Sequence, residues 1–266
     1  MRFRLAVTTA LATLWLQACA VPPSPKVAEL LAGVMPTPVL LVGEQHDAPE
    51  HQALQRDLLQ ALAAQGRLAA VVMEMADAGR STQGLPRSAT EDQVRTALGW
   101  TDDTGWPWPT YGPVVMAAVR AGAPVHGGNL PRSQIRGAMG DAALDASVPA
   151  NVLALQREAI REGHCDLLPA SQLAPMARIQ LARDRSLARE AAARVQPGAT
   201  VLLIAGNGHV RRDLGVPLHL GNATAHRVVV ARAGPAGADA AADAYWDTPA
   251  LPVKDHCAEL RERFKR

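Results

Sequence analysis

Four short stretches, at 39–42, 69–75, 124–126 and 199–205, are apolar almost without interruption and end in glycine or a polar residue. A strand with one wet face alternates apolar and polar residues, so a run apolar at every position is a strand covered on both faces. Between the runs lie segments of helical period. One covers 49–64, with Leu54, Leu58, Leu59 and Leu62; others cover 114–120, 151–162 and 171–195, the last stopped by Pro197-Gly198. Strands that alternate with helices in this way predict a single α/β domain with a mostly parallel central sheet flanked by helices. Residues 216–220 and 226–231 are read as further strands, and the Ala-, Gly- and Asp-rich 234–243 as a flexible surface excursion.

The amino terminus reads as a leader. Arg2 and Arg4 precede an apolar run from 5 to 18 that is shorter than the roughly 20 residues a membrane span needs. Leu16-Gln17-Ala18-Cys19 resembles a bacterial lipobox, so residues 1–18 are expected to be a lipoprotein signal peptide and Cys19 the lipidated (palmitate-bearing) residue. The alternative is ordinary cleavage beside a chance cysteine. Residue 20 is Ala rather than Asp, which in lipoproteins points to the outer membrane. The proline-rich 19–37 is read as a tether with one short helix at 27–34, and the body as 38–266.

Without Arg2 and Arg4 the 27 basic residues become 25, equal to the 25 acids. A neutral body gives no general attraction to nucleic acid or anionic lipid, so the acyl chains would supply the membrane attachment. In an oxidising compartment Cys165 and Cys257 are read as a disulfide, against two separate buried thiols.

In a parallel sheet the loops at the carboxyl ends of the strands share one edge, where ligands bind. Here they carry Glu44 and His46, then Glu74, then Asn129, then Asn207 and His209. Two of them repeat a pattern, since Gly43-Glu44-Gln45-His46 and Gly206-Asn207-Gly208-His209 both follow apolar strands as Gly-x-x-His. Glu44, His46, Glu74 and His209 therefore form a candidate catalytic set for hydrolysis, or a set of ligands for a divalent metal that lowers the pKa of a bound water. The plainer reading has both histidines satisfying buried groups and both acids serving helix dipoles. Gln180 and Asp184 share a helix face that points to one of these histidines. His51 is read as a surface or helix-start residue. No HExxH, Walker lysine loop, GxSxG or haem-attaching CxxCH occurs.

Gly43–His46, Glu74, the stretch 111–125, Asn129-Leu-Pro-Arg132, the segment 180–184, Gly206–His209 and Gly215-Val-Pro217 together resemble the ChaN-like haem-binding lipoproteins, from residue 39 to residue 220. These belong to a wider group with erythromycin esterase and the Tiki-type proteases. The resemblance implies haem as ligand, a role in iron acquisition with an outer-membrane haem receptor as possible partner, and an ancestral site able to support hydrolysis. It further implies two haems stacked at a homodimer interface, a tyrosine of one subunit on the iron and a histidine of the other near the propionates.

Only Tyr111 and Tyr245 offer a phenol. Tyr111 lies with Trp106 and Trp108 in a proline-rich loop, where the rings clasp a porphyrin face or simply cover the end of the sheet. The cofactor-binding candidates are thus Tyr111, Trp108, His46 and His209, with Arg211 and Arg212 for the propionates. The leading expectation is a lipid-anchored haem-binding protein facing the periplasm. The competitors are a metal-dependent hydrolase and an inactive scaffold that keeps the polar network.

Overall fold

Six strands, β1 (Val39–Glu44), β2 (Leu68–Asp77), β3 (Val125–Asn129), β4 (Thr200–Gly206), β5 (His226–Ala233) and β6 (Ala244–Thr248), form one sheet in the order β3-β2-β4-β1-β5-β6. Every neighbouring pair is parallel. The structure, a computed structural model, describes residues 23–101, 105–234 and 242–264. The leader, Cys19 and most of the 234–243 stretch lie outside the described residues.

Ten α-helices are described: α1 (Pro25–Val34), α2 (Pro49–Ala64), α3 (Glu91–Leu98), α4 (Trp108–Ala121), α5 (Ile135–Gly140), α6 (Ala150–Gly163), α7 (Ala170–Ala192), α8 (Asn207–Val210), α9 (Val216–Leu220) and α10 (His256–Phe264). None is long and apolar enough to cross a membrane. β1 and β4 are buried at every position, and their side chains divide by parity. Leu40, Val42, Leu202 and Ile204 pack with Leu54, Leu58 and Leu62 of α2 and Val114, Val115 and Ala118 of α4. Leu41, Val201 and Leu203 face Leu187, Ala188 and Ala191 of α7. Each such aliphatic side chain contributes about 1.5–3 kcal/mol on burial, which is why uninterrupted apolar runs make the centre of the sheet.

Two segments differ from the sequence expectation. Residues 216–220 are the helix α9 rather than a strand, because Pro217 sits in its first turn, where the missing N–H costs nothing and the fixed φ suits a helix. The short helix placed inside the tether is docked on the body, since Val27, Leu31 and Val34 of α1 are buried in the core shared with α2 and α4.

A third element was not anticipated. β6, carrying Tyr245 and Trp246, adds a parallel strand beside β5. Cys165, just after α6, is bonded to Cys257 of α10, and the bridge holds the C-terminal helix against the α6–α7 hairpin.

The topology positions the site. β4 lies between β1 and β2 although it follows them by more than a hundred residues, and Glu44 is in register with Gly206. The carboxyl ends of β1, β4 and β2 therefore stand side by side, and the loops bearing His46, His209 and Glu74 meet there.

Candidate functional site

Glycine begins each Gly-x-x-His turn for reasons of space. A Cβ on Gly43 would come within 2.4 Å of Asn207 Oδ1 and 2.5 Å of Val210 Cγ2. On Gly206 it would come within 2.8 Å of His46 Nε2. Gly206 has an ordinary φ of −58°, so space rather than a special backbone angle requires glycine there. Each clears room for the other loop, and the two motifs interlock across adjacent strands.

Glu44, at the end of β1, is 2% exposed. Its Oε1 accepts from the Tyr111 hydroxyl at 2.6 Å and from His46 Nδ1 at 2.6 Å. Its Oε2 accepts from Gln52 at 2.8 Å and from Gln55. With Nδ1 donating to Glu44, the neutral ring of His46 keeps its lone pair on Nε2, and Nε2 makes no hydrogen bond among the described residues. The side chain of His46 is 41% exposed and stands edge-on to Trp106, with ring centroids 4.7 Å apart. Burial works against the charge of His46, but the hydrogen bond to Glu44 and the charge of Glu74 outweigh it and hold its pKa above the usual histidine value, with His209 opposing.

His209 is built differently. Its Nδ1 lies 2.6 Å from Asp184 Oδ1 on α7 and its Nε2 3.3 Å from Glu74 Oε1, while the other oxygen of Glu74 accepts from the Gly206 N–H at 2.8 Å. Burial penalises its charge, yet the two carboxylates outweigh that penalty and raise its pKa well above the usual value. His209 is therefore an imidazolium held between two acids. Burial raises Glu74, but His209 and His46 pull it down to about 2. Burial pushes Asp184 up to about 6, with His209 opposing and Glu74 adding to the rise.

This arrangement does not support the expectation of a divalent metal. His209 has both ring nitrogens committed to carboxylates, and both oxygens of Glu44 are already filled by donors. Among the described residues no group of three or more His, Cys, Asp or Glu side chains is disposed to hold a metal ion.

The remaining candidates fall in several places. Tyr111 is 1% exposed, and burial together with the Glu44 charge holds its phenol far above the usual value, so it is a neutral donor to Glu44 rather than a surface phenolate. Trp108 is buried and donates its indole N–H to Glu91 at 2.9 Å. Arg211 pairs with Asp213 at 2.7 Å, and Arg212 pairs with Asp243. Tyr245, on the edge strand, lies under the Arg232 guanidinium at 4.1 Å. His51, read as a surface residue, is fully buried; it accepts from the Gln45 N–H at 2.9 Å and meets Thr248 at 3.1 Å.

Gln52 and Gln55, which both donate to Glu44, are not singled out by any motif in the sequence. The available signal was a pair of amides on the same helix as Leu54, Leu58 and Leu62, where a buried polar group needs a partner.

Two hollows open at this edge of the sheet. One, of about 390 Å3, is lined by His46, His209, Glu74, Asp184, Gln180 and part of α6. The other, of about 600 Å3, shares Glu74 with it. Both fall in the size range of small-molecule sites. The smaller one presents an exposed nitrogen oriented by a carboxylate, next to a fixed imidazolium.

Residues 30–220 match the sequence profile of a family described as haem-binding uptake, Tiki superfamily, ChaN. Among solved structures, the chain is similar to ChaN of Campylobacter jejuni, which binds haem cofacially. The two share 25% sequence identity with a TM-score of 0.65, over 80% of this chain and 86% of that one. The type III effector HopBA1 is a more remote match, with 14% identity and a TM-score of 0.43 over 87% of this chain and 97% of that one. No curated protein matches. The profile spans most of the chain and contains both Gly-x-x-His loops, Glu74 and Asp184, so the chain belongs to the haem-binding uptake family of the Tiki superfamily typified by ChaN.

Proposed function

We propose that this protein binds haem at the strand-end site and carries it in iron uptake or trafficking. The carrying observation is His46. A histidine that ligates iron donates its other ring N–H to a carboxylate, which fixes the tautomer and strengthens the ligand. His46 does so to Glu44 at 2.6 Å while its Nε2 is left without a protein partner. The Trp106 indole beside it offers an apolar surface for a porphyrin face. Tyr111 could ligate only by leaving Glu44 and losing its proton, so His46 is the better-prepared ligand within one subunit. Haem itself supplies the iron; the chain supplies the nitrogen, its orientation and the apolar wall.

The resemblance to ChaN, which binds haem cofacially, supports a homodimer as the working unit. The leader supports acylation at Cys19 and an outer-membrane, periplasm-facing location, with handover to a haem receptor. The Cys165–Cys257 bond is in keeping with an oxidising compartment.

Titration of the purified mature protein with haemin tests the reading. A saturable Soret shift is expected, weakened in His46→Ala by at least the roughly 10–100-fold that losing a partner behind a metal ligand costs. A wild-type protein with no saturable shift overturns it. Intact-mass measurement of membrane-extracted protein tests the anchor, and an unmodified Cys19 overturns that part.

A second reading is favoured by one observation, that both histidines line the same hollow. His46 Nε2 is placed to take a proton from water, and the His209 cation to stabilise developing negative charge. This reading is metal-independent hydrolysis, and ester turnover that survives in His46→Ala rejects it.

A further inference from the structure

The chain downstream of β6 is fastened to both sides of the smaller hollow. Lys254 Nζ pairs with Asp47 Oδ2 at 3.1 Å, and Asp47 directly follows His46 in the loop between β1 and α2. Two residues further on, His256 Nε2 donates to the Gly163 carbonyl at 3.3 Å. The next residue, Cys257, is bonded to Cys165. His46 lines the hollow from the sheet edge, and Gly163 and His164 line it from the end of α6. Residues 254–256 therefore bridge the β1 loop and the α6 end at the rim of the hollow.

Of these three fastenings the covalent one dominates. The Lys254 and Asp47 side chains are 61% and 53% exposed, and an ion pair in water contributes little. α10 buries no side chain among its described residues, and Phe264 is 52% exposed. A helix of nine residues with no buried face does not hold its shape or its place unaided. The disulfide is thus what fixes α10 and the bridging residues.

The bond can also be reached, and it ends on an unusual backbone. Both cysteines are half-buried rather than enclosed, and an exposed disulfide is the kind that thiols open. Cys165 and Asp166 have φ values of 55° and 59°, in the left-handed region that side-chain-bearing residues disfavour. Such a backbone persists where its surroundings hold it, and here a covalent bond ends on the first of the two residues.

We propose that Cys165–Cys257 is a redox latch on the smaller hollow. A dithiol opens it by exchange. One thiolate of the dithiol attacks a cysteine sulfur and the other cysteine leaves as a thiolate; the second thiol then closes on the mixed disulfide and expels the first cysteine. Two electrons and two protons pass to the cysteine pair, and the dithiol becomes a disulfide. α10 and residues 249–255 then come away, the turn at 163–166 relaxes, and the rim between Asp47 and Gly163 opens. α6 itself stays in place through its buried Val152 and Ile160. The latch governs access to the hollow whatever occupies it, so it does not depend on the haem reading.

The test uses the mature protein without ligand, oxidised and after dithiothreitol under native conditions, with free thiols counted in each state. On reduction, amide hydrogen exchange followed by mass spectrometry is expected to quicken by roughly tenfold or more over 161–166 and 249–264 while β1 and β4 stay protected. Ethoxyformylation of His46 by diethyl pyrocarbonate is expected to quicken several-fold at the same time. Cys257→Ser, which leaves Cys165 and its turn in place, should behave as the reduced protein without any reductant, and Cys165→Ser should do the same from the other end of the bond. A bond that dithiothreitol cuts only after the protein unfolds overturns the latch, as does a reduced protein whose 249–264 exchange is unchanged. Faster exchange there with unchanged labelling of His46 means that the bridge does not guard the hollow, and overturns the proposal as well.

Discussion

His46 and His209 leave adjacent strands through the same four-residue turn, and each ends against an acid, yet they are built for opposite tasks. His46 has one carboxylate partner, a side chain 41% exposed and a ring nitrogen without a protein partner. His209 has two carboxylate partners, a side chain 13% exposed and no free nitrogen. The difference comes from outside the motif. α7 brings Asp184 under His209, whereas α2 and α4 bring Gln52, Gln55 and Tyr111 to Glu44 and nothing to the outer side of His46. A repeated motif therefore fixes where a histidine goes, and the helices packed behind it decide whether the ring is a fixed charge or a working group.

The contrast is broken most forcefully at His209. His209→Ala leaves Glu74 and Asp184 buried without their cation, and loss of one partner from such a cluster costs about 3–5 kcal/mol. Urea denaturation should show a loss of that order. A change under about 1 kcal/mol would mean that His209 is not the structural member of the pair.

Glu74 sharpens the contrast through pH. Its folded pKa of about 2 lies below its ordinary 4.5, so its contribution is fully present above pH 4.5 and disappears as pH falls through 2. The shift corresponds to roughly 3 kcal/mol. Glu74→Gln should therefore be less stable than wild type at pH 7, and the gap should close progressively on acidification below pH 4.5. A gap independent of pH would assign the effect to packing rather than to charge.

The smallest effect on stability is expected at His46. Its ring is well exposed and makes one carboxylate hydrogen bond, so His46→Ala should change unfolding free energy by about 1 kcal/mol or less while removing most of the haem affinity. Thermal melting and haemin titration on the same sample check both halves of this statement. A large loss of stability would erase the distinction between the two loops.

Much of the fold can be read from the chain because the central strands are apolar at every position, and only a two-sided sheet buries such runs. Both Gly-x-x-His loops, Glu44 and Glu74 follow from strand ends, and the helical spacing of Gln180 and Asp184 leads to Asp184 as the partner of a histidine. Other parts were hidden for physical reasons. Val216, Leu218 and Leu220 alternate as a strand would, and only Pro217 signals the first turn of a helix. The Thr90 and Gln93 capping box announced α3, but the helix is polar enough to look like loop. Arg80, Arg132 and Arg183, which line the larger hollow, are scattered over a hundred residues, and no local spacing reveals that three elements converge there.

The insertion of β4 between β1 and β2 has a consequence for how the molecule comes into being. The first two strands cannot pair with one another and must wait, separated by a gap, for a strand that begins at Thr200. The contacts that close this gap span more than a hundred residues, so they carry a high loop-closure cost and form late. Since Gly206 and His209 arrive with that same strand, a chain emerging from synthesis has no assembled site until most of its length is available. Competence to hold a ligand is thereby tied to completion of the sheet.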